Sequence, residues 1–534
     1  MDIHAIEIVF LLLLFFVVAF GMFAKKLKTA YPIVMVIGGL LLSFIPGIPK
    51  IALNPDLVFF VVLPPLLYGA AWVTSWREFS YNLVSILFLA FGLVTFTVLA
   101  VSSAVHWFLP GLDWRMGLVL GAIVAPTDAI AATSIASRIG LPKRISEILE
   151  GESLLNDASA LLALEFGIAL LVDGQRPTVA IGLLRLAYLI VVGVLAGLVI
   201  GEIVHQIEHR IDDAPIEIAL SLLTPYVAYL GAEALHASGV LAVVVCGLYL
   251  ARKSSHFFSP EVRVQAWAVW DSLTFILNGL VFVMIGLQLP YVLKSIGDYK
   301  LSTLTLYAAI FCAFLIVLRL IWVYPGAYSS FWIRKHLLHQ TEPAPTAKGV
   351  FVVGWTGMRG VISLAAAIAV PQVLANGQPF TQRSVIVFLT FSVILVTLVL
   401  QGLTLPSLIR FLGLAGVSGP NEEERSARKL MAEAALARLE AARMQNAHDN
   451  EVLEELDRHY RRRLTALDQP DDRATNGDIT ASYTQFATLA RELLGVERRT
   501  AVHLRNERRI GDELLRELVH ELDLGELKLS GRRS

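Results

Sequence analysis

The chain has 534 residues, 56% hydrophobic and 17% charged, with a mean hydropathy of +0.65 and a formal net charge of −1, which excludes an ordinary water-soluble globular protein. The charges are unevenly spread, since residues 421–534 hold 20 of the 44 Lys/Arg and 23 of the 45 Asp/Glu. The sequence therefore divides into an apolar membrane-spanning domain, residues 1–415, and a charged helical tail, residues 416–534. With no basic domain there is no electrostatic footprint for nucleic acid. The two cysteines, Cys246 and Cys312, sit in apolar runs and supply neither a disulfide framework nor a zinc ribbon.

The first apolar run, Ala5 to Ala24, lacks a basic leader and is followed by Lys25, Lys26 and Lys28 rather than a small-residue cleavage site. It reads as a retained first span. A bilayer core needs roughly 20 apolar residues per helix, and on that ruler thirteen spans are predicted, at 5–24, 31–48, 56–74, 82–109, 116–136, 147–172, 179–203, 215–235, 238–251, 267–290, 303–331, 349–373 and 384–412. Placing the N-terminus outside gives the cytoplasmic loops fourteen Lys/Arg, among them Arg77, Arg138, Lys143, Arg144 and Arg334. The external loops then hold six, Lys50, Arg115, Arg176, Lys294, Lys300 and Arg383. That asymmetry sets the orientation, and an odd number of spans leaves the tail in the cytoplasm. Within the tail, Glu422–Leu439 and Glu492–Leu522 have helical periodicity among alternating charges, with a break at Asp468-Gln469-Pro470 and Asn476-Gly477. A solvated helical hairpin or a dimerisation element fits this pattern, the alternative being a specific regulatory ligand site.

Ionisable groups inside a bilayer cost a few kcal/mol or more each, so those away from helix ends are functional candidates. The candidates are Asp128 in the fifth span, Glu152, Asp157 and Glu165 in the sixth, Arg319 in the eleventh and Arg359 in the twelfth. The fifth span contains Ala125-Pro126-Thr127-Asp128, where proline removes a donor and clashes with the preceding turn. The twelfth contains Gly354-Trp355-Thr356-Gly357-Met358-Arg359-Gly360, whose glycines weaken the helix at the same depth. Two interrupted helices, one in each half of the chain, point to the substrate site of an inverted-repeat secondary transporter. The acid Asp128 and the base Arg359 stand where the terminal charges of half-helices call for compensation.

In the sixth span, at 100° per residue, Ser153 and Asp157 share one face and Glu152 and Asn156 another, with Glu152 and Asp157 about 140° apart. Asp157, Ser153 and carbonyls freed by the broken fifth helix would form an all-oxygen cradle for a hard cation. Glu152 reads as the buried partner of Arg319 in a structural ion pair. Glu165 has no evident base and is left unassigned.

Ala125-Pro126-Thr127-Asp128-Ala129, Gly151-Glu152-Ser153-Leu154-Leu155-Asn156-Asp157 and Gly357-Met358-Arg359-Gly360-Val361, in that order, resemble core signatures of the sodium/hydrogen exchanger branch of the monovalent cation:proton antiporters. Leu63-Pro64-Pro65-Leu66-Leu67-Tyr68 and the run from Asn278 to Leu287 resemble two more. The resemblance covers residues 1–415. It implies an all-α polytopic fold of thirteen helices in an inverted repeat with two crossed discontinuous helices, a homodimer, and elevator-type alternating access. It further implies Asp157 as the ion- and proton-binding carboxylate, Asn156 as its partner, and Ser153 and the Thr127 carbonyl as further ligands of a monovalent cation. Asp128 and Arg359 would be dipole compensators, and Glu152 with Arg319 the structural salt bridge. One departure is Gly69, where many relatives carry an acid after the Leu-Pro-Pro motif.

The function expected is exchange of Na+, or of Li+ or K+, for H+ by competition at Asp157 in the inner membrane, serving pH and sodium homeostasis. Burial favours the neutral form of a carboxylate and hydrogen bonds to the anion favour the charged one. With Asn156 rather than a second Asp before Asp157, the site carries one charge, so electroneutral one-for-one exchange is expected. No cofactor and no enzymatic step are implied. Three rivals are an organic-anion carrier using Arg359, an ion channel, and an intramembrane metalloprotease suggested by His205-Gln206-Ile207-Glu208-His209. Competition by alkali cations, absence of macroscopic current and a zinc measurement discriminate against each in turn.

Overall fold

The computed structural model describes residues 3–46, 53–108, 111–172, 179–211, 213–257, 260–296, 300–340, 343–373, 379–416, 422–445, 450–468, 489, 493–504, 507, 514, 518 and 522. Among these the chain is helical, with one isolated bridge between Val373 and Pro379 and no strand. It separates into two compact units, Met1–Gly419 and Pro420–Ser534.

The first unit runs through α1 (Ile3–Leu27), α2 (Tyr31–Leu42), α3 (Pro55–Val73), α4 (Trp76–Trp107), α5 (Trp114–Val124), α6 (Ala129–Ile139), α7 (Lys143–Val172), α8 (Val179–Glu208), α9 (Ala214–Ala234), α10 (Gly239–Phe257) and α11 (Pro260–Leu287). It continues with a short α12 (Leu289–Ser295), α13 (Leu301–His336), α14 (Ala347–Trp355), α15 (Val361–Ala369) and α16 (Arg383–Phe411). Among the described residues ten helical segments are long and apolar enough to cross a membrane, and α2 is a shorter apolar helix. The protein is a multi-pass membrane protein.

Local chemistry explains where these helices begin. Asp113 accepts from the Met116 amide at 3.0 Å to start α5, and Thr346 accepts from the Gly349 amide at 3.2 Å to start α14, each satisfying a donor that has no partner within its helix. Burial sorts the helices into core and perimeter. In the most apolar stretch of α8 only 17% of residues are buried, against 67% in that of α16; apolar side chains such as Leu184, Val191 and Leu195 on α8 are exposed, as expected of a perimeter helix.

Among the described residues three widened π-helical turns interrupt otherwise regular helices, at Val58–Val62, Phe88–Leu93 and Thr397–Gln401. The first precedes Pro64 and Pro65, whose missing amides break the usual ladder. In the second, the Phe88 carbonyl accepts from the Trp322 indole at 3.0 Å and the Ala90 carbonyl from the Ser159 hydroxyl at 2.5 Å. Carbonyls released by the wide turn thus receive side-chain donors from α13 and α7.

α2 and α11 touch backbone to backbone. A Cβ at Gly39 would overlap the Val283 carbonyl oxygen, and one at Gly286 would overlap the Val36 carbonyl oxygen. Neither neighbour is a flexible side chain that could yield. Gly286→Val should therefore cost about 3 kcal/mol, the upper end of overpacking penalties, read as a lowered melting temperature of the detergent-purified protein. An unchanged melting temperature would contradict this close crossing.

In the second unit, α17 (Glu422–Gln445) and α18 (Asn450–Asp468) pack together, with Arg461 reaching Glu440 at 3.9 Å and Asp457 at 2.7 Å. The break predicted after Asp468 lies outside the described residues; of the predicted helix Glu492–Leu522, residues 493–504 are described and helical. Lys50 and Arg176, two of the predicted external charges, also lie outside the described residues.

Candidate functional site

Both interruptions fall where Pro126 and the Gly357–Gly360 segment place them. α5 stops at Val124 and α6 resumes at Ala129; α14 stops at Trp355 and α15 resumes at Val361. The two gaps cross and are joined directly, since the Asp128 amide donates to the Met358 carbonyl at 2.7 Å. Asp128 caps α6, its carboxylate accepting from the Ile130 amide at 2.8 Å. A Cβ at Gly360 would lie 2.8 Å from the Asp128 side chain, so the start of α15 rests against the same acid. One carboxylate therefore serves two positive helix N-termini. Arg359, 2% exposed, donates through Nε to the Val124 carbonyl at 3.0 Å and through Nη1 to the Gly357 carbonyl. The cation thus faces the carbonyl-rich ends of the interrupted helices, and its own amide donates to the Thr397 hydroxyl at 3.2 Å, within the π-turn of α16.

Beside the crossing lies a buried network. Glu152 and Arg319, 1% and 2% exposed, pair bidentately at 2.5 and 2.8 Å. Arg319 also donates to the Val353 carbonyl at 3.1 Å, a carbonyl left near the end of α14. The Thr127 hydroxyl donates to Glu152 at 2.9 Å and accepts from Asn156 Nδ2 at 2.9 Å, while Asn156 Nδ2 also reaches the Thr127 carbonyl at 3.4 Å. Thr127, Asn156, Glu152 and Arg319 are thus brought into one chain of hydrogen bonds. The Asn156 Oδ1 atom is buried without a partner.

Asp157 and Ser153 take the other face of α7. Both line a cavity of about 310 Å³ together with Thr127, Asp128, Glu150, Asp271, Thr274 and Asn278. Asp157 is 5% exposed, and none of the described residues donates a hydrogen bond to its carboxylate. Ser153 accepts from the Ala129 amide at 3.3 Å. The cavity wall carries four carboxylates and, among the described residues, no Lys, Arg or His. Gly69 lies on this wall against Thr274 and Trp270.

Sequence reasoning passed over Glu150 and Asp271, which fall near the ends of their predicted spans. A helical signal for Glu150 existed, because it precedes Asp157 by seven residues and so shares its face. Glu165 does have a base, Arg185 of α8, at 3.5 Å, and the pair is largely exposed away from the cavity. That partner was missed because it lies twenty residues on, in the next predicted span. In the suggested metalloprotease motif Glu208 is buried while His209 is exposed, and among the described residues no group of three His, Cys, Asp or Glu could hold a metal.

A crossed pair of interrupted helices beside a carboxylate-lined cavity is the architecture of a secondary transporter. The transmembrane sodium/hydrogen exchanger family profile matches residues 11–411. The chain belongs to that sodium/hydrogen exchanger family. It is 32% identical over 512 residues to an uncharacterised Na+/H+ exchanger of Mycobacterium tuberculosis, covering 94% of this chain and 92% of that one. It is 32% identical over 388 residues to the sodium, potassium, lithium and rubidium/H+ antiporter of Bacillus subtilis, covering 71% and 57% of the two chains. Its fold is similar to that of the sodium proton antiporter MjNhaP1 of Methanocaldococcus jannaschii, with a TM-score of 0.58 and 20% identity over 77% of this chain and 99% of that one.

Proposed function

We propose that the protein exchanges one alkali cation for one proton by competition at Asp157. The observation that carries this is an acid 5% exposed, with no hydrogen-bond donor among the described residues, on the wall of a cavity that holds carboxylates and no base. A cation bound there would take oxygens from Asp157, Ser153 and the Thr127 carbonyl, with Asn156 holding Thr127 in place. Such hard oxygen ligands suit Na+, Li+ or K+. An empty, ionised Asp157 is costly to carry through the membrane interior, so only proton-loaded and cation-loaded forms cross. That prohibition couples the two fluxes. Asp128 and Arg359 offset the half-helix charges, and Glu152 with Arg319 is a structural bridge.

Because the preceding residue is Asn156, the exchanging site has a single carboxylate that one proton or one cation neutralises, and exchange is electroneutral. The same reading includes thirteen helices in an inverted repeat, a homodimer, an inner-membrane location with the N-terminus outside, a cytoplasmic tail from residue 416, and a role in pH and sodium homeostasis. The Bacillus relative's named range of sodium, potassium, lithium and rubidium favours testing a full cation panel.

The test uses everted vesicles with a preformed pH gradient. Adding Na+, Li+ or K+ should dissipate the gradient, and the initial rate should be the same with the membrane potential clamped at zero or at a large negative value. No response to any alkali cation would overturn the exchange, and a potential-dependent rate would overturn the stoichiometry.

A further inference from the structure

The acid-lined cavity is built from two matched rails. On α7, Glu150, Ser153 and Asp157 stand at positions i, i+3 and i+7; on α11, Asp271, Thr274 and Asn278 repeat that spacing. All six line the cavity. Seven residues span two helical turns, about 10 Å, and return to within about 20° of the same face, so each rail runs as a single stripe. The order of chemistry along them is the same: a carboxylate, then a hydroxyl, then a buried carboxylate on one side and a buried amide on the other. Exposure falls in step, from exposed Asp271 and half-buried Glu150 to Asp157 at 5% and Asn278 at 2%.

We propose that Asp271 and Glu150 form an outer site that captures a hydrated alkali cation and delivers it to Asp157. This rests on the exchange reading above and extends it to the route of loading. The cavity volume of about 310 Å³ is roughly ten times a water molecule's share of the liquid, so the ion enters with most of its hydration shell. Asp128 is engaged at the helix crossing. Asp271 and Glu150 have no such engagement: neither has a hydrogen bond or ion pair with a described residue. Apolar walls including Trp72, Trp267 and Trp270 concentrate their field in the cavity. Asp157 lies about 10 Å from the Glu150 level, and because it is buried its attraction for an ion held there is screened by salt much less than that of a surface charge. An ion at the outer rung is therefore drawn inward.

The experiment compares Asp271→Asn, Glu150→Gln and the double variant in proteoliposomes, reading initial rate against Na+ concentration. The double variant should raise the apparent KM about tenfold, the low end of the local concentration effect of a focused field, with the rate at saturating Na+ retained. Added choline salt should narrow that difference, and Asp271→Glu should restore the wild-type KM. A second readout does not depend on exchange: Na+ should change the tryptophan fluorescence of purified Asp157→Asn protein, and adding Asp271→Asn should remove that response. An unchanged KM in the double variant, or a lost maximal rate at unchanged KM, would overturn the outer site. If wild-type vesicles show no exchange while the Asp271-dependent fluorescence response persists, the exchange reading fails and the outer site stands.

Discussion

Asp157→Asn is expected to reduce cation-driven proton movement in everted vesicles to that of vesicles lacking the protein, while the variant still inserts and purifies as a monodisperse species. Asparagine keeps the shape of the side chain and removes the only charge that both a proton and a cation can neutralise there. Folding should survive, because Asp157 has no hydrogen-bond partner among the described residues to lose. Asp157→Glu keeps the charge but extends it further into the cavity, and should retain slow exchange with a changed cation preference. Full exchange by Asp157→Asn would show that another acid on the wall, Glu150 or Asp271, carries the proton.

Breaking the Glu152–Arg319 pair should have the largest effect on stability. Both groups are at most 2% exposed and the pair is bidentate, so removing one partner strands a buried charge, at a cost of about 3–5 kcal/mol. Arg319→Gln should also weaken the contact with the Val353 carbonyl, and Glu152→Gln changes the acceptor of the Thr127 hydroxyl. Each single variant should lower the melting temperature and yield of the detergent-purified protein. The double variant, with no buried charge left at this place, should recover more than half of the loss. Single variants as stable as the wild type would show that the pair is dispensable.

Hydropathy along the chain was enough to mark the apolar stretches in which the helices of the first unit lie, and Pro126 and the glycines from 357 to 360 were enough to mark both interruptions. Glu152 and Arg319 could be matched although 167 residues separate them, because few ionisable groups lie at mid-depth and each needs a partner. The other losses have a common physical origin. Sequence periodicity gives depth and angle on one helix, and a cavity is defined by several. Asp271 and Glu150 looked like ordinary span-end charges because nothing in either helix alone says that both open on the space beside Asp157. The π-turn at Phe88–Leu93 has no proline to announce it; it is recognisable only once Trp322 and Ser159 are seen donating to its carbonyls. The close approach of α2 and α11 needed both Gly39 and Gly286 to be known as neighbours.

The bond between the two interruptions runs from a backbone amide at Asp128 to a backbone carbonyl at Met358. Side-chain replacement leaves both groups in place. The crossing is thus insulated from ordinary point mutation, and only a proline at 128 would delete the donor. A phenotype from Asp128→Asn consequently reports on the charge shared by the starts of α6 and α15, with the join itself intact.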